Sequence, residues 1–88
     1  MMYALIVYDV RAWRVARVCK YLRRFLSHVQ NSVFEGDLTA RNLNRVQKDL
    51  ADLIDLHEDS VLLYILRDQA AMRREKIGVE KRPITNIL

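Results

Sequence analysis

The stretch Tyr3-Ala4-Leu5-Ile6-Val7-Tyr8-Asp9 decides how the rest of the chain is read. Its apolar and aromatic residues run without polar alternation and stop at a carboxylate closely followed by Arg11. Such a run reads as a strand covered on both faces until its last residue. A second run of this kind, Ser60-Val61-Leu62-Leu63-Tyr64-Ile65-Leu66-Arg67, lies in the second half. Between the two, residues 11–26 carry Val15, Val18, Cys19, Leu22, Phe25 and Leu26 at three- and four-residue steps, which predicts a helix with one buried stripe. Residues 40–56 repeat the pattern with Leu43, Val46, Leu50, Leu53 and Ile54. Thr39 is placed to cap this second helix, and Leu38 and Leu43 have the spacing of a hydrophobic staple. Residues 28–36 read as one extended segment, bent near Asn31 and Ser32 and ended by Gly36 and Asp37. A charged loop follows the second apolar strand, then a short extended piece at residues 76–79 and, after Pro83, a last strand at residues 84–88.

The order strand, helix, strand, helix, strand, strand predicts an α+β, ferredoxin-like sandwich in which residues 1–88 form a single domain. Two helices cover one face of such a sheet. The two-sided strands therefore need a second cover, either loops of the same chain or an identical subunit packed sheet to sheet about a two-fold axis. The size favours the homodimer, because 88 residues leave a thin core.

Apolar residues make up 51% of the chain and charged residues 30%, so the two kinds must be sharply segregated. No apolar run is long enough to cross a bilayer, and the opening residues lead into charges without a small-residue cleavage site; a cytoplasmic protein with no membrane partner is expected. Cys19 is the one cysteine, which excludes an internal disulfide, and with only His28 and His57 beside it a zinc site is not expected. Any metal would be held by oxygen. The net charge of +4 and the pI of about 9.6 favour polyanionic partners.

Asp9 is the residue closest to chemistry. A carboxylate directly after a buried strand is held rigidly while its oxygens reach solvent, and a hard cation such as magnesium favours that ligand. If a two-fold axis passes near the strand end, two Asp9 side chains share one ion. The other reading of Asp9 is a cap on the first helix. On that helix Trp13, Arg17, Lys20 and Arg24 fall on the side opposite the apolar stripe, with Arg14 and Tyr21 beside them. Basic groups there can neutralise phosphates while the ring stacks on a base or packs on a partner protein; the alternative is an ordinary solvated face with Trp13 covered by a loop. Arg11 and Arg14 oppose the helix dipole in its first turn, which points to a ligand. Arg41, Arg45 and Lys48 alternate with Asp49 and Asp52 and read as a solvated face. The late basic residues Arg73, Arg74, Lys76, Lys81 and Arg82 suit phosphate binding or the protection of an edge strand. Ser32 has no activating base spaced near it.

Tyr8-Asp9, together with Val29-Gln30-Asn31-Ser32-Val33-Phe34-Glu35-Gly36, resembles the signature of the CRISPR-associated protein two family, the small subunit of the spacer-acquisition machinery, often labelled an endoribonuclease. The resemblance covers nearly the whole chain. It implies a ferredoxin-like homodimer with facing sheets and Asp9 of each chain near the axis, catalytic and holding one shared magnesium ion (Mg2+). It further implies endonuclease action on single-stranded RNA or double-stranded DNA and a part in spacer acquisition with an integrase subunit. The family's helix arginines correspond to Arg14 or Arg17. Residues 82–88 resemble the strand that pairs with a partner subunit's sheet or with the integrase. Where many relatives carry acidic residues after the Asp, this chain has Val10, Arg11, Ala12 and Trp13. Ser27 and His28 stand where relatives often have Gly and Arg, so His28 joins the expected phosphate contacts. Two functions follow, a magnesium-dependent phosphodiesterase using paired Asp9 and a non-catalytic dimeric scaffold that holds duplex DNA.

Overall fold

The computed structural model describes residues 1–78. Its elements are β1 (Met2–Asp9), α1 (Ala12–Leu22), β2 (Ser27–Gln30), β3 (Val33–Leu38), α2 (Ala40–Leu53) and β4 (Ser60–Leu66), followed by a 3-10 turn at Gln69–Ala71. The strands form one antiparallel sheet in the order β2-β3-β1-β4. This is the ferredoxin-like arrangement, with the two-sided strand β1 at its centre, pairing with β3 on one side and β4 on the other.

Residues 28–36 are a hairpin and not one bent strand. Asn31, at φ 39°, sits in the left-handed region that asparagine tolerates, and the Tyr8 N–H donates to the Ser32 carbonyl at 3.1 Å. The turn lets Val33 leave in the opposite direction and pair with Gln30. Both helices are shorter than their stripes. The chain leaves α1 after Leu22, so that Leu26 reaches the core from the following turn, and α2 ends at Leu53. Thr39 does cap α2, its hydroxyl accepting from the Asn42 N–H at 3.0 Å, and Leu38 and Leu43 are both buried. The expected piece at residues 76–79 makes no ladder pairing as far as Gly78. Val79, Lys81, Arg82, and the strand at residues 82–88 lie outside the described residues.

Alternation along β1 turns Ala4, Ile6 and Tyr8 toward the helices, where they meet Phe34, Val18, Leu22, Val46 and Leu50 in one core. Ile6, Phe34, Leu22 and Val46 have no exposed surface. Complete burial of each contributes roughly 1.5–3 kcal/mol. The helices run side by side, tied by the Tyr21 hydroxyl donating to Asp49 and by the Arg45 guanidinium 5.7 Å from the Phe25 ring centre. Cys19 lies within this core, its sulfur 2.8 Å from the Tyr8 hydroxyl.

Candidate nucleic-acid interface

The other residues of β1, Tyr3, Leu5, Val7 and Asp9, point by the same alternation to the sheet face that carries no helix. Asp9 is exposed at the end of that row, opposite Ser60 of β4. Among the described residues its carboxylate makes no hydrogen bond or ion pair, and it does not cap α1: the residue in the N-cap position is Arg11, with no side-chain cap of its own.

The start of α1 is held instead from across the fold. Asp59, immediately before β4, accepts the Arg11 N–H at 3.0 Å, the Arg14 Nε–H at 2.5 Å and the Asp55 N–H at 2.9 Å. Glu58 accepts from the Arg11 and Arg14 guanidiniums at 2.8 and 3.0 Å. The register explains the meeting: β1 and β4 pair Asp9 with Ser60, so the residues just outside each strand are neighbours. The Arg14 guanidinium and these backbone donors hold the Asp59 carboxyl at about 2, against a burial that pulls the other way. Arg11 and Arg14 thus have carboxylates within the chain to offset their poor placement on the helix dipole. Glu58 and Asp59 were the residues that reading along the chain passed over, since neither belongs to a stripe or motif.

Trp13 is not covered by a loop; it is 71% exposed. The Arg11 and Arg14 guanidiniums lie 5.8 and 5.5 Å from its ring centre, within cation–π range. Arg17 and Lys20 are exposed along the same face and have no ion pair among the described residues. Arg24 lies beyond the helix, its guanidinium 5.6 and 5.5 Å from the Tyr21 and Phe25 ring centres. His28 is elsewhere. It sits on edge strand β2, stacked on Phe34 with ring centres 4.5 Å apart and its Nε2–H donating to the Asn31 carbonyl at 2.6 Å. The structure therefore gathers Arg11, Trp13, Arg14, Arg17 and Lys20 near the start of α1, and leaves His28 at the far side of the sheet.

The helix-free face is partly covered by the chain itself. Residues 72–76 cross over its β2–β3 half, where Arg74 pairs with the buried Glu35 and Lys76 donates to Gln30 at 2.9 Å. Burial and the neighbouring Glu35 push the Tyr3 hydroxyl up to about 12. On the β4 half Leu62 and Tyr64 remain 56% and 53% exposed. Of the two covers expected for this face, loop and second subunit, the first accounts for one half among the described residues.

A four-stranded ferredoxin-like sheet with one apolar, partly open face, a strand-end carboxylate and a basic, aromatic helix start defines a small α+β protein built around its sheet. The chain belongs to the family described as CRISPR associated protein Cas2, whose model matches residues 1–74. It is 49% identical over 87 residues to the CRISPR-associated endoribonuclease Cas2 of Thermococcus kodakarensis, covering 99% of this chain and 100% of that one. The protein of the same name from Methanothermobacter thermautotrophicus is 49% identical over 86 residues, covering 98% and 94%. Among solved structures, a Cas2 crystal structure superposes with a TM-score of 0.86 at 38% identity, covering 94% of this chain and 93% of the other. Streptococcus pyogenes Cas2 at pH 6.5 superposes at 0.78 and 32%, covering 89% and 100%. No helix among the described residues is long and apolar enough to cross a membrane.

Proposed function

We propose that two copies of this chain pack with their helix-free faces together and act in the cytoplasm as an endonuclease on single-stranded RNA or double-stranded DNA during spacer acquisition. The observation that carries this reading is Asp9: a carboxylate fixed by a central strand, exposed, on the partly open apolar face, and without a hydrogen bond or ion pair among the described residues. The endoribonuclease names of the relatives support the same chemistry.

Among the described residues no three His, Cys, Asp or Glu side chains are placed together to hold a metal. At the end of the β1 row each chain presents Asp9. Magnesium keeps several waters and is commonly bound by one or two carboxylates plus substrate phosphate, so Asp9 fits that ion as a donor, and Asp9 from each of two chains would supply the larger of those numbers. A magnesium ion so held would supply Lewis-acid stabilisation of charge developing on a phosphate oxygen. The chain's own contributions are separate. Arg17 and Lys20 attract and seat the phosphates. The Asp59 and Glu58 contacts fix the first turn of α1, and with it the direction in which Arg14, Trp13 and Arg17 project. An integrase subunit is the partner in this reading, with residues 82–88 as its strand or that of the second copy.

Asp9→Asn tests the proposal when cleavage of RNA and duplex DNA is assayed beside spacer integration with the integrase. Loss of cleavage by a factor of about a hundred or more, with the homodimer intact, is expected from removing one metal-binding charge per chain. Unchanged cleavage overturns the catalytic part. Arg17 and Lys20, without an ion pair among the described residues, favour a second reading, a non-catalytic dimeric scaffold holding duplex DNA, which integration without cleavage would support.

A further inference from the structure

Trp13 is the chain's one tryptophan and is mostly exposed, on a surface where exposure has to be explained. Beside it runs a groove of about 560 Å3, lined by Trp13, Arg17, Leu53, Ile54, Leu56 and His57 among others. That volume lies in the range of small-molecule sites, roughly 300–1,000 Å3. Leu56 is 70% exposed, so the groove carries two large apolar side chains with little cover of their own. The Trp13 ring is braced on one side: the guanidiniums beside it, those of Arg11 and Arg14, are themselves held by Glu58 and Asp59. A braced, exposed aromatic face is what a planar ligand needs, because little order is lost when it binds.

The charges say which planar ligand. Arg17 lines the groove and Lys20 follows it on the helix, neither with an ion-pair partner among the described residues. The one carboxylate in the groove, Asp55, already accepts the His57 N–H at 2.8 Å. An aromatic platform followed by unpaired cations is the pattern that single strands use, with bases stacked on rings and phosphates met by charge. We propose that the groove takes one unpaired nucleobase, stacked on Trp13 and braced by Leu56, with its phosphate held by Arg17. The inference rests on the nucleic-acid reading above and adds a preference: a base within a duplex is already stacked and has to be flipped out before it can enter.

The sole tryptophan is also the reporter. Its fluorescence is followed during titration with a thymidylate oligonucleotide and with an abasic sugar-phosphate strand of the same length and charge, at one salt concentration. Quenching by the first and little by the second is expected. In parallel, anisotropy of labelled strands should show Trp13→Ala binding the thymidylate strand about tenfold more weakly and Trp13→Phe retaining most of the affinity, with a smaller loss for Trp13→Ala on duplex than on the single strand. Trp13 is exposed, so neither substitution disturbs the core. Equal binding of both strands, with Trp13→Ala unchanged, overturns the base site, leaves the phosphate contacts standing and hands the groove to a protein segment. Failure to bind any strand or duplex overturns the nucleic-acid reading itself, and this site with it.

Discussion

Replacing Leu62 and Tyr64 together by serine separates a face that is merely apolar from one that is an interface. In the single chain they are 56% and 53% exposed, on the half of the sheet that residues 72–76 leave open. Complete burial of a side chain of this size is worth about 2 kcal/mol, so closing the exposed half of each recovers about 1 kcal/mol. A two-fold pair presents each residue twice, which brings the double substitution to about 4 kcal/mol of lost association, close to a thousandfold in Kd. Sedimentation equilibrium over a wide concentration range measures this, with far-UV circular dichroism to confirm that the monomer stays folded. Leu56→Ser is the control, because at 70% exposure Leu56 is more open than either Leu62 or Tyr64, yet it lies beside α2 on the helix side. Its Kd is expected to match that of the unaltered chain. Equal dissociation constants for all three proteins refute the facing-sheet arrangement, and with it the shared position of the two Asp9 side chains.

Two further outcomes follow from the same structure. Asp59 holds its proton less tightly folded than unfolded, at about 2 against 3.8, so its contribution to stability is present above about pH 4 and fades as pH falls toward 2; Asp59→Asn should flatten that part of a urea-denaturation pH series, and an unchanged slope would mean the carboxylate is not held by Arg14. Phe34→Ala removes a side chain with no exposed surface and should lower unfolding free energy by about 3–5 kcal/mol in urea, a loss below about 1 kcal/mol contradicting its place at the centre of the core.

What the residue pattern made legible was whatever repeats over a few positions. The stripes of α1 and α2, the Thr39 cap and the apolar strands all depend on neighbours within about four residues and are found, although both helices end before their stripes do and Leu62 and Tyr64 of β4 are exposed where the run reads as covered on both faces. From the two-sided strands it also followed that the helix-free face needs a cover. The loop's share of that cover was not legible, because the Arg74–Glu35 pair joins residues 39 apart. The hairpin at Asn31 was missed for a local reason: an Asn-Ser turn lacks the glycine that ordinarily announces a two-residue loop. Of the site, Asp9 and Trp13 were visible as oddities, a charge ending an apolar run and a large ring on a polar stripe. Glu58 and Asp59 were not, since their partners Arg11 and Arg14 lie 44 to 48 residues away and meet them only through the β1–β4 register. His28 enters the expected contacts through the position where relatives often carry arginine, and its stacking on Phe34, six residues on, is a detail of the β2–β3 register.

The place of β1 in the sheet bears on how the chain reaches this state. The strand made first is the one that ends in the middle, and its neighbours come late: β3 after α1 and β2, then β4 after α2. Until Leu66 has been synthesised, one whole side of the β1 ladder lacks its partner, since Tyr3 pairs with Leu66 and Asp9 with Ser60. The helices can form early from contacts close in sequence, but the sheet cannot be finished piecewise from the N-terminus. The pairing of residue 66 with residue 3 spans the longest stretch of chain in the sheet, and long-range pairing of this kind slows folding.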